Sequence, residues 1–367
     1  MKAMKIITVV CWLIVAAVLL GFAGWFLTGT VFGARTERWS NIMPISFNIG
    51  GFEALTGPFD IVGSYTVEVS GLDSINVDWV AGGVTLRPHD GDDIQITEYA
   101  QRQLGDDEKL RTDISGGTLT IRFRESTRVT IINMPTKRLE VLVPRGLSEE
   151  LNKLMVETVS GSIDAERFTA QYIKLNSISG GITLSNSTAA DLKVDTTSGR
   201  SNVTFVQAED MEFDSISGSI HVSDCSARSI DCDSTSGSVH VSGEFGKAKL
   251  NSISGRLELD NPSPLSTVDA DSTSGTVNLT GSFDVVKVDT LSGSITVRSR
   301  SVPSSLKADS TSGSINIAIP NEGTVTVYHS STSGRFSSDV PVVMQGRGAQ
   351  FELTTLSGRS KISVLEP

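Results

Sequence analysis

The chain has 367 residues, a formal net charge of −11, 34 glycines, 38% hydrophobic residues and only 6% aromatic ones. The charge argues against wrapping nucleic acid, which needs a lysine and arginine excess, and against lying flat on an anionic lipid surface. The glycine-rich, aromatic-poor mix suits short strands joined by tight turns better than a helical bundle.

From the N-terminus, Ile6 to Leu27 runs without a charge, long enough to cross a bilayer as a helix. Lys2 and Lys5 precede it and favour a cytoplasmic N-terminus, while Arg35 and Arg38 follow it and weaken that bias. A cleaved signal peptide ending near Ala34 is the competing reading, but an ordinary signal has an apolar core of about 7–15 residues. Residues 1–34 are therefore read as an uncleaved signal-anchor, which places everything after them outside the cytoplasm. Residues 35–60, with Pro44, Gly50, Gly51, Gly57 and Pro58, read as a linker.

Residues 61–145 are β-patterned without a strict repeat. Alternation marks Thr66–Val69, Ile75–Trp79, Val84–Leu86 and Leu119–Phe123. This segment is expected to cap the array that follows, because the end of a stack must close an open edge. Ser115-Gly116 reads as a degenerate turn, and Leu147–Leu154 as one short helical turn at the junction.

Residues 146–367 carry the decisive pattern. A Ser-Gly pair recurs with its glycine at 161, 180, 199, 218, 237, 255, 275, 293, 313, 334 and 358. Apolar residues stand seven and five positions before the glycine, as in Ile173/Leu175 and Leu192/Val194, and two and four after it, as in Ile182/Leu184 and Ile220/Val222. In the Gly199 and Gly358 units the second pair reads as moved on by two, to Val203/Phe205 and Ile362/Val364. A serine or threonine always stands three before the glycine. Each unit is thus strand, sharp turn, strand, loose turn, with the glycine expected at positive φ. One unit cannot bury both its faces, so stacked units make an all-β solenoid of about 19-residue repeats with ladders of hydroxyls. The residue two before the glycine alternates Ile178, Thr197, Ile216, Thr235, Ile253, Thr273, Leu291, Thr311, a period near 38 that leaves open one or two units per turn. Cys232 stands at a core position, and a Cys225–Cys232 bridge stays open on spacing alone.

These units, of the Thr-Val-Ser-Gly-Ser-Ile and Ser-Ile-Ser-Gly-Ser-Ile kind from Glu157 to Leu365, resemble the bacterial putative-adhesin family of β-strand-repeat proteins, a domain of unknown function. Leu139–Pro144 and Asp90–Ile96 add to the likeness. The resemblance implies the fold, a frequent membrane anchor and, for some members, an association with envelope stress. It supplies no functional residues.

Among candidate sites the strongest is the column four before each glycine: Asn176, Asp195, Asp214, Asp233, Asn251, Asp271, Asp289, Asp309. Stacked carboxylates offer oxygen ligands to calcium, but the calcium-solenoid motif is absent, and a polar outer face with turn hydrogen bonds is the plainer reading. His221 and His240, each three after its glycine, should be stacked neighbours. Asp195, Asp214, Asp233, His221 and His240 are thus the only, and weak, metal candidates, and no cofactor is expected. No nucleophile elbow, zinc motif or phosphate loop occurs. The chain is read as a non-enzymatic, single-pass membrane protein: a surface scaffold or adhesin-like module whose partner is a cell-envelope protein or polysaccharide. An envelope-stress sensor acting through a membrane partner and a polysaccharide-active enzyme are the alternatives.

Overall fold

The alternation on either side of each Ser-Gly pair folds as two strands per unit. In the computed structural model, which describes residues 58–124, 135–346 and 348–365, each strand pairs in parallel with its counterpart one unit along. Leu175 faces Val194 and Ser177 faces Thr196 before the glycine, while Thr183 faces Asn202 after it. One unit therefore makes one full coil. Strands before the glycines form a front sheet, strands after them a back sheet, and both bury their aliphatic faces in one continuous core. The expected anchor and residues 35–57 lie outside the described residues. Among the described residues no helix is long and apolar enough to cross a membrane.

The glycine is required for a reason other than positive φ, since none of the Ser-Gly glycines has a left-handed backbone. A Cβ on Gly180 would lie less than 3 Å from the carbonyl of Gly161, and one on Gly237 equally close to that of Gly218. The corner is where successive backbones approach most closely, so it is steric room between coils that excludes a side chain. The hydroxyl three residues earlier completes the turn. Gly180 N donates to Ser177 Oγ at 2.8 Å and Gly255 N to Ser252 Oγ at 2.7 Å. Along the stack Thr158 Oγ1 donates to Ser177 Oγ at 3.1 Å, as a hydroxyl ladder requires.

The second corner is more regular than a loose turn. Arg167, Asn186, Phe205 and Asp224, each six after its glycine, share φ between 50° and 62°. Phe205 is therefore a corner residue, 60% exposed, and not a core residue. Nor does the Gly199 strand slip: Val203 stays in register with Leu184 and Val222, and Ser201 takes the inward place beside Ile182 and Ile220. Ser360 does the same beside Ile315, while Val364 is 38% exposed. Both serine hydroxyls are buried without a partner.

A two-coil period also runs through this corner, while the alternating residues two before the glycine, such as Ile178, Ile216 and Leu291, are exposed at the other. Phe168, Val206, Phe245 and Phe283 point inward from alternate coils. Each backbone N–H there finds its acceptor on a side chain of the next coil: Ser187 Oγ, Cys225 Sγ, Asn261 Oδ1 and Ser299 Oγ respectively. Large apolar and small polar corners therefore alternate, and a two-coil period satisfies the buried donors. Cys225 is a member of this series. Both Cys225 and Cys232 are buried free thiols, so no bridge joins them.

Parallel stacking begins earlier than the repeat. The coil of Ser74–Trp79 and Val84–His89 pairs with the Gly161 coil on one side. On its other side lies the coil of Thr118–Arg122 and Lys137–Pro144, later in sequence yet outermost in space. Antiparallel strands, Arg111–Ser115 on the front sheet and Asp93–Ala100 with Asp60–Glu68 on the back, close this end. Ser115 to Gly117 is the tight turn of that antiparallel hairpin, with Gly116 and Gly117 at φ 56° and 78°, and not a copy of the Ser-Gly corner. The helical turn is Arg145–Ser148, and Leu151 onward is already strand. Order is exchanged at the other end as well. The Gly358 coil (Gln350–Thr355, Arg359–Val364) inserts directly on the Gly313 coil, leaving the Gly334 coil (Val325–Ser331, Arg335–Ser338) terminal.

Candidate functional site

Each outward column of the solenoid is one sequence position read every nineteen residues or so, and the two outer faces differ in chemistry. On the front face the column four before the glycine runs Glu157, Asn176, Asp195, Asp214, Asp233, Asn251, Asp271, Asp289 and Asp309 in register. The structure thus brings Asp195, Asp214 and Asp233 into one line. Beside it, six before the glycine, stand Lys174, Lys193, Glu212, Asp231, Lys249, Asp269, Lys287 and Lys307.

The lysines offset part of the ladder's charge from within. Lys193 Nζ lies 2.5 Å from Glu212, 3.2 Å from Asp214 and 3.7 Å from Asp195. Lys287 reaches Asp269 at 2.9 Å and Asp289 at 3.5 Å, and Lys307 reaches Asp309 at 3.4 Å. Burial pushes Asp195 up to about 6 against the pull of Lys193, with Asp214 adding to the rise. Burial likewise pushes Asp271 up to about 6, opposed by Lys287 and aided by Asp269 and Asp289. A calcium site would need several free oxygens converging on one point. These oxygens are strung along a line, with Lys193 set among Asp195 and Asp214 and Lys287 among Asp271 and Asp289. A hollow of about 290 Å³ on this face lies among Tyr172, Lys193, Glu212 and Asp231.

His221 and His240 do stack, with ring centroids 5.0 Å apart and planes 9° from parallel. Face-to-face rings point their nitrogen lone pairs along parallel planes, which is the wrong geometry for sharing a metal. His240 Nδ1 instead lies 3.2 Å from Glu258 Oε2. Burial, then His240 and Arg200, depress the His221 imidazole below its ordinary value. Among the described residues no three His, Cys, Asp or Glu side chains gather closely enough to hold a metal ion.

The rest of the back face is largely uncharged. Three after the glycine come Asp164, held by Arg87, then Thr183, Asn202, the two histidines, Glu258, Asn278, Thr296 and Asn316. One after it, Ser219, Ser238, Thr276, Ser294 and Ser314 hold the neighbouring column, interrupted by Arg200 and Arg256. The result is a flat field of hydroxyls and amides repeated at about 4.8 Å. Sequence reasoning singled out neither this field nor the lysine column. Both were present as 19-residue periodicities of outward positions, which attract less notice than an apolar period.

Sequence reasoning also missed the group that closes the N-terminal end. Lys137 stands where the next coil carries Gly82, and both it and Glu98 are fully buried, 2.6 Å apart. The ammonium also donates to the carbonyls of Glu108, at 2.7 Å, and Phe123. It lies 3.9 Å from the Phe123 ring centroid and 5.0 Å from that of Trp79. Glu98 in turn accepts Leu110 N at 3.1 Å. Burial lowers Lys137 to about 8, opposed by its bond to Glu98. All three donors are used, which makes this a strut rather than a nucleophile.

Parallel coils, two sheets and a glycine-lined corner define a β-solenoid repeat protein. The chain belongs to the Toastrack DUF4097 family, whose model matches residues 72–244 and 227–361. No curated protein matches it. Among solved structures it is similar to a putative lipid binding protein from Parabacteroides distasonis, at 16% identity and a TM-score of 0.36, covering 82% of this chain and 96% of that one. A putative adhesin from the same organism aligns at 11% identity and a TM-score of 0.35, over 83% and 98% of the two chains. A putative adhesin from Bacteroides fragilis aligns at 15% identity and 0.29, over 82% and 95%.

Proposed function

We propose that this chain is a non-enzymatic, adhesin-like binding scaffold, anchored in the membrane through Ile6–Leu27 with its solenoid outside the cytoplasm. Its ligand is a cell-envelope polysaccharide, held on the back face. The observation that carries this reading is the difference between the two faces. The front face is acidic, its five column lysines offsetting about half of its ten carboxylates, and it would repel an anionic polymer. The back face offers outward hydroxyls and amides at a fixed repeat, the groups that hydrogen-bond polyols. A polymer chain crossing several coils gains many weak contacts at once, so affinity comes from length rather than from a deep pocket.

Binding of soluble envelope polysaccharide to the immobilised chain tests the reading. Placing carboxylates on the back face with Thr296→Glu and Asn316→Glu should weaken binding at least about tenfold, whereas Glu212→Gln on the front face should leave it unchanged. Equal losses from both faces, or no binding by the unaltered chain, would refute it. Protease added to intact spheroplasts should digest the solenoid; protection of residues beyond about 60 would refute the topology.

A further inference from the structure

The terminal coil breaks the charge pattern of the array. Arg335 and Arg359, each one after its glycine, face each other directly on the last two coils of the back sheet. Both are exposed, and neither guanidinium has an ion-pair partner among the described residues. Lys361 lies two residues along the same strand, 3.0 Å from Asp339, the carboxylate nearest to it on this face. Two like charges aligned across adjacent strands repel one another. In a chain of net charge −11, whose front-face lysines at 193, 249, 287 and 307 each have a carboxylate partner, two arginines set face to face on adjacent strands are a local concentration of positive charge.

What leads up to the pair is equally specific. Over three coils the two adjoining columns hold Thr276, Ser294 and Ser314 and, alongside, Asn278, Thr296 and Asn316. This lane of roughly 15 Å, at about 4.8 Å per coil, contains no charge and ends on Arg359 and Arg335. Neighbouring coils bring the two arginines together, and the exchange of coil order sets their sequence along the lane: the Gly358 coil sits on the Gly313 coil, so Arg359 adjoins the lane and Arg335 stands outermost.

We propose that Arg335 and Arg359 form an anion site for a phosphate group carried by the polyhydroxylated polymer that lies along this lane. The proposal rests on the polysaccharide reading above and narrows its partner to a phosphorylated glycan. A carboxylate has two oxygens and saturates one guanidinium fork. A phosphate monoester has three terminal oxygens and nearly two charges, enough for two forks side by side. Arginine suits the task because its planar donors match oxyanions in pairs.

The test uses the full chain, a soluble glucan bearing phosphate monoesters, and the same glucan after phosphatase treatment. The unaltered chain should bind the phosphorylated form at least about tenfold more tightly. The Arg335→Gln, Arg359→Gln double variant should lose that preference, keep its affinity for the treated glucan and keep its melting temperature. Arg298→Gln, at an arginine that borders the lane two residues beyond Thr296, should retain the preference. Equal binding of both glucans with no effect of the double variant overturns the phosphate site and leaves the polysaccharide reading standing. Binding of neither glucan overturns both. Loss of the preference in Arg298→Gln to the same degree reduces the site to general electrostatics and overturns it. Capture of phosphatidylglycerol vesicles in place of the glucan, abolished in the double variant, moves the phosphate to a lipid and overturns the polymer assignment.

Discussion

The carbonyl oxygen of Gly218 occupies the space in which a Cβ on Gly237 would have to stand. The same relationship links Gly161 to Gly180 and Gly293 to Gly313, so one steric constraint runs the length of the stack. Gly237→Ala should therefore cost about 3 kcal/mol, because backbone and not a pliable side chain is in the way. Thr235→Val, two residues before it at a partly exposed position, should cost less than about 0.5 kcal/mol. Hydrogen exchange is expected to report lost protection centred on residues 218–255 in the alanine variant alone. Equal effects of the two changes would mean that the corner has room to spare.

Ser201 presents the opposite case. Its hydroxyl is buried without a partner between Ile182 and Ile220. Ser201→Val should raise stability by about 1 kcal/mol, by removing an unpaired polar group and adding apolar contact. Urea denaturation would show this as a higher midpoint, and a lowered midpoint would show that the site is too small for the larger side chain.

On the front face the titration of Asp195 has a defined sign. Its carboxyl is pushed up to about 6, above the unfolded value of about 3.9. Between those values the folded state holds more protons than the unfolded one, so this group lowers stability at pH 7 and the cost is relieved as pH falls through about 6. Asp195→Asn, which reproduces Asn251 in the same column, should stabilise at pH 7.5 by about 1 kcal/mol after solvent screening and have little effect near pH 4. Melting temperatures at the two pH values decide it; a pH-independent gain would assign the effect to hydrogen bonding instead.

At the N-terminal end, Lys137→Met should cost about 3–5 kcal/mol, because Glu98 is left charged, buried and unpaired. Adding Glu98→Gln should recover most of that. Loss of exchange protection is expected first near residues 74–122, with the coils beyond Gly218 unaffected. A uniform loss along the chain would show that the array melts as a single unit.

Truncation after Ala349 removes the Gly358 coil, the neighbour against which Val325–Ser331 and Arg335–Ser338 pair. The Gly334 coil should then become sensitive to protease while coils up to Gly313 stay resistant. Retained resistance throughout would mean that the Gly334 coil can dock on Gly313 in sequence order.

Much of this protein was written in its periodicities. A nineteen-residue spacing of glycine, a hydroxyl three before it and apolar pairs on either side determine strand, corner and core position, because each requirement is local and repeats with every coil. The stacking of His221 on His240 and the line of Asp195, Asp214 and Asp233 follow directly from that register. Three things needed the folded chain. The glycine's role came from the neighbouring coil's carbonyl and not from its own φ, and a single unit cannot reveal a clash with the next. The inward place of Ser201, where the pattern pointed to Val203 and Phe205, was decided by hydrogen-bond register between coils, which outweighs the preference of one residue. Finally, the exchange of coil order at both ends left the Gly334 coil terminal, with Arg359 and not Arg335 next to the Gly313 coil, and put Lys137 where the next coil has glycine. A repeat states how units stack but not which unit is last. That depends on which coil best closes an open edge, a property of the whole stack.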